Sequence, residues 1–138
     1  MILLDTNVIS EMMKPSPSLK VIDWLDQEDV MQLFVSTITI AEIFYGIQSL
    51  PSGKRKNTLE ESFQNVLQEG FKHRILSFNE KAAEFYGQLM SHRKKIGKPL
   101  SILDGQIAAL AVSEKASLAT RNVRDFVDCH LSVINPFV

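Results

Sequence analysis

The sequence predicts an α/β domain in which a parallel sheet of four or five strands lies between two layers of helices. Three observations predict this class. Short apolar runs of strand length alternate with longer segments whose apolar residues recur at helical spacing. The chain has 138 residues, of which 45% are hydrophobic, enough for one domain with a substantial core. No internal repeat or long linker interrupts it, so we expect residues 1–138 to form a single domain.

The first half of the chain predicts two strands and three helices. Residues 2–4 form an apolar strand, and a short helix over about 8–13 ends at two following prolines, which cannot continue it. Ser18 is a suitable N-cap for the next helix. Residues 33–35 form the second strand, and residues 39–50 a helix that the following Pro-Ser-Gly cluster stops.

The second half predicts three further strands and three helices. An amphipathic helix runs to about Glu69, where Gly70 ends it, and Asn79 and Ser101 are suitable N-caps for the two helices that follow. The strands are short apolar runs at residues 74–78, 117–120 and 131–134.

Four acidic residues lie where a predicted strand ends or a predicted helix begins. Asp5 ends the first strand, Glu42 and Asp104 lie in the first turns of their helices, and Asp125, with Asn122 before it, follows the fourth strand. In a parallel sheet these positions face one edge, where ligands gather beyond the carboxyl ends of the strands. We therefore expect the four carboxylates to converge.

Helix capping is an alternative explanation for these acids. The spacing of Thr39 and Glu42 indicates a T-x-x-E capping box, and that of Ser101 and Asp104 indicates an S-x-x-D version. Asp5 fits this explanation least, because it follows a buried strand with no cationic residue near it in sequence. The two explanations are compatible, since a helix N-terminus also keeps a carboxylate ionised, as a metal ligand must be.

The residue types predict a hard divalent cation at this edge. Crowded carboxylates repel one another unless a counter-charge is present, and oxygen ligands favour Mg²⁺, with Mn²⁺ as a substitute. Zinc is not expected, because the three histidines are scattered and Cys129, the only cysteine, has no spaced partner.

Composition excludes a generic polyanion-binding protein, because 15 Lys and Arg face 16 Asp and Glu for a net charge of −1. Attraction to nucleic acid must come from local basic groups: Lys54–Lys56, Arg93–Lys95 with Lys98, and Arg121 with Arg124. No apolar run could cross a membrane, and a single cysteine suits a reducing compartment. We expect a cytoplasmic protein with no membrane association.

Five segments together resemble the PIN-domain ribonucleases, specifically the VapC-type toxins of bacterial toxin–antitoxin pairs. They occur in that family's order over essentially the whole chain: LLDTNVIS (3–10), STITIAEIFYG (36–46), LDGQIAALA (103–111), ATRNVRDF (119–126) and VINPF (133–137). The resemblance implies the PIN fold, a homodimer, Mg²⁺-dependent cleavage of RNA and neutralisation by a protein antitoxin.

The resemblance also assigns catalytic and metal-binding roles to Asp5, Glu42 and Asp104. For the fourth ligand two alternatives remain open, because Asn122 stands where some relatives have an acid and Asp125 can supply the missing charge. We expect Glu42 to bind a second ion or to orient the attacking water, so the number of metals also stays open.

Four more residues are candidates for contact with RNA. The hydroxyls of Thr6 and Thr120 lie at the predicted rim, where they can hold either the ligands or a phosphate, and strand-end hydrogen bonding is an equal alternative. Arg121 and Arg124 are interleaved with the predicted ligands and can offset their charge. The acids do not select the RNA, so transfer, ribosomal and messenger RNA all remain candidate substrates.

Two other classes of function compete with the nuclease. The chain could be a corepressor that reaches promoter DNA only through a DNA-binding antitoxin, its acids being structural. A phosphotransferase also places an aspartate at a strand end, but the haloacid-dehalogenase pattern requires a second acid where Asn7 stands.

Overall fold

A single sheet of five parallel strands lies at the centre of the computed structural model, which describes residues 1–138. The strands are, in chain order, β1 (Ile2–Leu4), β2 (Leu33–Ser36), β3 (Ile75–Leu76), β4 (Ser117–Ala119) and β5 (Val133–Ile134). They lie in the order β3-β2-β1-β4-β5, and every neighbouring pair is parallel. The predicted parallel sheet is confirmed.

Six helices connect and cover the strands. They are α1 (Thr6–Met12), α2 (Leu19–Gln27), α3 (Thr37–Gln48), α4 (Lys54–Asn65), α5 (Glu80–Lys95) and α6 (Ile102–Ser113). A π-helical turn at Val66–Gly70 follows α4, and 3₁₀ turns lie at Val30–Gln32 and Val123–Phe126. None of the helices is both long and apolar enough to span a membrane.

The helices form two layers, one on each face of the sheet. Successive residues of a strand point to opposite faces, so Leu3 and Leu4 enter different cores. Leu3 packs with residues of α5 and α6, including Leu89 and Ile107. Leu4 packs in a second cluster with residues of α1 to α4, including Phe63. The predicted three-layer α/β/α architecture is confirmed.

Two helices begin two residues earlier than predicted, and both changes bear on the acids. α1 begins at Thr6, which makes Asp5 its N-cap. α3 begins at Thr37, because the Ser36 hydroxyl accepts a hydrogen bond from the Thr39 amide at 3.0 Å. The predicted Thr39–Glu42 capping box is therefore wrong, and Glu42 lies in the second turn of α3 rather than the first.

The edge strands are shorter than predicted. β3 covers residues 75–76 instead of 74–78, and β5 covers 133–134 instead of 131–134. Each pairs with only one neighbour, so fewer residues gain ladder hydrogen bonds. The caps of the later helices are as predicted: Asn79 Oδ1 accepts from the Ala82 amide, and Ser101 Oγ accepts from the Asp104 amide.

Candidate acidic site

Asp5 lies where the strand order reverses. The chain builds β2 and β3 on one side of β1, then β4 and β5 on the other, which opens a crevice at the carboxyl ends of β1 and β4. The Asp5 side chain is buried there, with 5% of its surface exposed. Its Oδ1 accepts from the Thr6 amide and its Oδ2 from the Thr120 hydroxyl, each at 2.8 Å.

The Thr120 hydroxyl is the centre of a small hydrogen-bond network. Besides donating to Asp5, it accepts from Asn7 Nδ2 and from the Asn122 amide, each at 3.1 Å. Asn7 also donates to Asp5 Oδ2 at 3.4 Å and accepts from the Arg121 amide at 3.1 Å. The segment after β4 is thereby fixed against the segment after β1, so Asp5 has one preferred position.

Glu42 reaches the same crevice from α3. The Thr6 hydroxyl donates to Glu42 Oε1 at 2.8 Å and lies 3.0 Å from the Thr39 hydroxyl. Thr6 thus links the first turn of α1 to the second turn of α3. The other carboxylate oxygen of Glu42 makes no hydrogen bond within the protein.

Asp104 and Asp125 border the other side of the crevice. Asp104 lies in the first turn of α6, and Asp125 in the 3₁₀ turn after β4. Both line one cavity of about 490 Å³. Neither they nor Asp5 and Glu42 take part in an ion pair.

The charges of the four acids act on one another. Burial raises the pKa of Asp5, hydrogen bonds from Thr120 and Thr6 oppose the rise, and the nearby charges of Asp104 and Glu42 add to it. Burial also raises the pKa of Asp104, against a hydrogen bond from Ser101 and together with the charge of Asp125. Asp5 is therefore close enough to Asp104 and Glu42, and Asp104 to Asp125, for their charges to interact, and none of the four acids forms an ion pair.

The remaining predicted residues have different surroundings. The Asn122 side chain is exposed, and only its backbone amide joins the network. Arg124 is exposed on the 3₁₀ turn. The Arg121 guanidinium lies 3.9 Å from the centre of the Phe137 ring and 3.8 Å from Glu11 Oε1, so contacts within the protein already hold it.

The burial of two charged residues near the site was not predicted from the sequence. Glu11 is buried on α1 and pairs with Lys14 and Arg121. Arg93 belongs to a basic run of the type that usually lies on a solvated face, yet it is buried beneath the cavity that Asp104 lines. No sequence signal distinguishes it from Lys94 and Lys95.

The carboxylate oxygens of the site are the ligand type that a hard divalent cation prefers, but the carboxylates are not closely grouped. No three His, Cys, Asp or Glu side chains are grouped closely enough to hold an ion directly. Mg²⁺ usually keeps several waters and takes only one or two protein carboxylates, so it does not require such a group. The uncompensated charge around Asp5 is the feature that a cation would neutralise.

A family model described as PIN domain matches residues 2–128. Among curated proteins, the chain is 41% identical to Toxin FitB of Neisseria gonorrhoeae, over 99% of both chains. It is 37% identical to VapC ribonuclease Y4jK of Sinorhizobium fredii, over 99% of this chain and 98% of that protein. Among solved structures, FitAB bound to an IR36 DNA fragment matches with a TM-score of 0.93 at 40% identity, over 100% of this chain and 96% of that chain.

Proposed function

The chain belongs to the PIN-domain family, and we propose that it is a metal-dependent endoribonuclease that acts as the toxin of a toxin–antitoxin pair. The observation that carries the proposal is the proximity of Asp5, Glu42, Asp104 and Asp125 at one edge of the sheet, where none of them forms an ion pair. The similarity to a toxin and to a VapC ribonuclease supports the choice of RNA as substrate. RNA and antitoxin would meet it in the cytoplasm.

The acidic side chains would have separate roles in hydrolysis. Asp5, Asp104 and either Asn122 or Asp125 would hold Mg²⁺, or Mn²⁺ in its place, directly or through waters. A bound ion supplies a water of lowered pKa and neutralises charge on the phosphate. Glu42, with one oxygen held by Thr6, would bind a second ion or orient the attacking water through the other.

Sequencing of RNA ends tests this mechanism. Brief expression of the protein should produce discrete cleavage sites, and purified protein should cut the same RNA with Mg²⁺ but not with EDTA. Asp5→Asn should abolish cleavage, whereas Asp26→Asn, which changes an exposed acid on α2, should not. Because water is the nucleophile, the products should carry no 2′,3′-cyclic phosphate. Cyclic ends, or full activity of Asp5→Asn, would contradict the proposal.

A groove beside the acids is our proposed antitoxin site. It has a volume of about 970 Å³, runs from Thr6 and Glu42 between α1, α3 and α4, and has Ile47 and Leu59 in its lining. An amphipathic antitoxin segment would bury its apolar face here and could place an arginine against the acids, blocking the metal. The chain is similar over its whole length to a chain of the FitAB structure, and this similarity supports a protein partner.

Two glycines offer a matched test of this groove. Gly46 lines it and Gly87 lies on α5 outside it, and an added Cβ atom would meet nothing within 4 Å at either position. Gly46→Leu should weaken binding of the antitoxin measured by calorimetry, while Gly87→Leu should bind like the wild type. Equal affinities would remove the groove from the proposal.

A homodimer is the proposed assembly, formed through an apolar face next to Glu42. Tyr45 and Leu103 border one cavity with Glu42, and they are 77% and 45% exposed. A second copy would cover both. Leu103→Lys should lower the mass measured by light scattering to that of a monomer. Val30→Lys, at an exposed apolar residue elsewhere, should not, and an unchanged mass for Leu103→Lys would refute this face.

The second candidate function is that of a corepressor acting through a DNA-binding antitoxin. The similar FitAB structure contains DNA, which favours this role without excluding catalysis. The two roles separate in one variant. Asp5→Asn should retain the effect of the chain on promoter binding by its antitoxin while losing RNA cleavage. A wild-type protein that cuts no RNA in Mg²⁺ or Mn²⁺ would leave the corepressor as the function.

A further inference from the structure

The cavity between Asp104, Asp125 and the end of α5 contains cationic groups that the proposed cleavage reaction does not use. Its volume is about 490 Å³, and its lining includes Arg93 and Arg124 as well as the two acids. Acidic and basic groups thus border the same space, at the side of the crevice away from the antitoxin groove.

Arg93 is a buried cation without an anionic partner. Only 5% of its surface is exposed, and it forms no ion pair. Its Nε donates to the Lys98 carbonyl at 2.6 Å. Its Nη1 donates to the carbonyls of Asp125, at 3.3 Å, and Val127, and lies 3.0 Å from Cys129 Sγ. Burial of a guanidinium destabilises the folded protein unless its N–H groups have hydrogen-bond acceptors, and in Arg93 only Nε and Nη1 have them.

The second terminal nitrogen of Arg93 has no partner within the protein. None of its four hydrogen bonds uses Nη2. Nη2 is also not a buried atom without a partner, because Glu11 Oε2 is the only buried side-chain nitrogen or oxygen that lacks a hydrogen bond. Because Arg93 lines the cavity, we infer that Nη2 offers its two N–H groups to that space.

Arg124 is a second cationic side chain without a partner in the protein. It is exposed on the 3₁₀ turn and makes no side-chain hydrogen bond or ion pair. The nearby Lys98 differs, because its Nζ lies 3.0 Å from Asp128 Oδ2. Two guanidinium groups, one fixed by three carbonyls and one exposed, form a pair suited to the oxygens of a phosphate.

We propose that this cavity is a phosphate subsite for the RNA strand, in which Arg93 Nη2 and Arg124 bind a phosphodiester adjacent to the one cleaved at the acids. The inference rests on the proposed nuclease function. It explains how a polyanion approaches a site rich in carboxylates: the strand is anchored beside them by two arginines. The bonds from Arg93 to the Lys98 and Asp125 carbonyls also fix the subsite relative to the acids.

Binding of a short fluorescein-labelled single-stranded RNA of mixed sequence, followed by fluorescence anisotropy, tests the subsite. All variants are made in an Asp5→Asn background so that no RNA is cut. Arg124→Ala should weaken binding about tenfold, the value of a lost charged hydrogen bond. The slope of log K against log salt should fall by about 0.7. Arg93→Lys should also weaken binding, because lysine lacks the second terminal nitrogen, but its salt slope should stay close to that of the parent because the charge is kept. Lys20→Ala on α2 should bind unchanged.

The outcomes separate this inference from the nuclease proposal. Cleavage by the wild type and none by Asp5→Asn supports the nuclease whatever the anisotropy shows. Arg124→Ala with the affinity and salt slope of its parent would overturn the subsite. If thermal melting shows that Arg93→Lys does not fold, Arg124→Ala alone decides. Loss of stability in Arg93→Lys with unchanged RNA affinity would assign Arg93 a structural role only and also overturn the proposal.

Discussion

Replacement of Thr120 by valine removes the hydroxyl at the centre of the acidic site while keeping a side chain of similar shape. The hydroxyl is fully buried and makes three hydrogen bonds, one donated to Asp5 and two accepted from Asn7 and Asn122. In Thr120→Val, these three partners lose a hydrogen bond in a place that water reaches poorly. Asp5 and Asn7 keep other bonds, so the loss is partial.

The expected cost is about 2–3 kcal/mol of unfolding free energy, since each group left unsatisfied in a buried place costs about 1–3 kcal/mol. With a urea slope of about 2 kcal/mol per molar, the unfolding midpoint should fall by roughly 1–1.5 M. Trp24, the only tryptophan, packs against the core next to α1 to α4 and reports unfolding by fluorescence.

Two control variants isolate the hydroxyl. Thr120→Ser keeps it and loses one methyl group, so it should cost only about 1 kcal/mol. Thr58→Val makes the same replacement on the exposed face of α4 and should change stability by less than about 0.5 kcal/mol. A midpoint for Thr120→Val equal to that of Thr120→Ser would refute the energetic role of the network.

Three other predictions follow from packing and charge. Gly105→Ala should destabilise the protein by about 1 kcal/mol, because its Cβ would lie 2.4 Å from Met90 Sδ. Gly87→Ala should instead stabilise it by about 0.5–1 kcal/mol, because its Cβ meets nothing and alanine favours a helix over glycine. Urea unfolding measures both changes. Burial raises the pKa of the Cys129 thiol, so iodoacetamide should label it at pH 8 only after unfolding, and rapid labelling of native protein would contradict this. Mg²⁺ should raise the melting temperature of the wild type but not of Asp5→Asn, and equal shifts would argue against a metal at Asp5.

The sequence alone predicted the fold and the meeting place of the acids. Apolar runs such as Ile2–Leu4 and Leu33–Val35 have strand length, and the helical segments between them require parallel pairing. Parallel pairing sends the carboxyl ends of the strands to one edge, so Asp5 and Asp104 had to approach each other. These conclusions need only local periodicity and a general rule of chain connection.

Helix boundaries were predicted less well, because several residues can cap the same helix. Ser36 and Thr39 both have hydroxyls suited to that role, and the choice of Ser36 depends on where β2 leaves the sheet. The same uncertainty hid the role of Asp5 as the N-cap of α1, since the sequence placed the helix start two residues later.

The amino-acid sequence by itself determined the α/β class, the parallel sheet and the edge at which the acids gather, because each follows from patterns between near neighbours. Only the tertiary structure decided that the Thr120 hydroxyl binds Asp5 across 115 residues and that Arg93, unlike Lys94, is buried with a free nitrogen beside the acids. Such contacts depend on how distant segments pack, and no local pattern encodes the distance between two atoms that far apart in the chain.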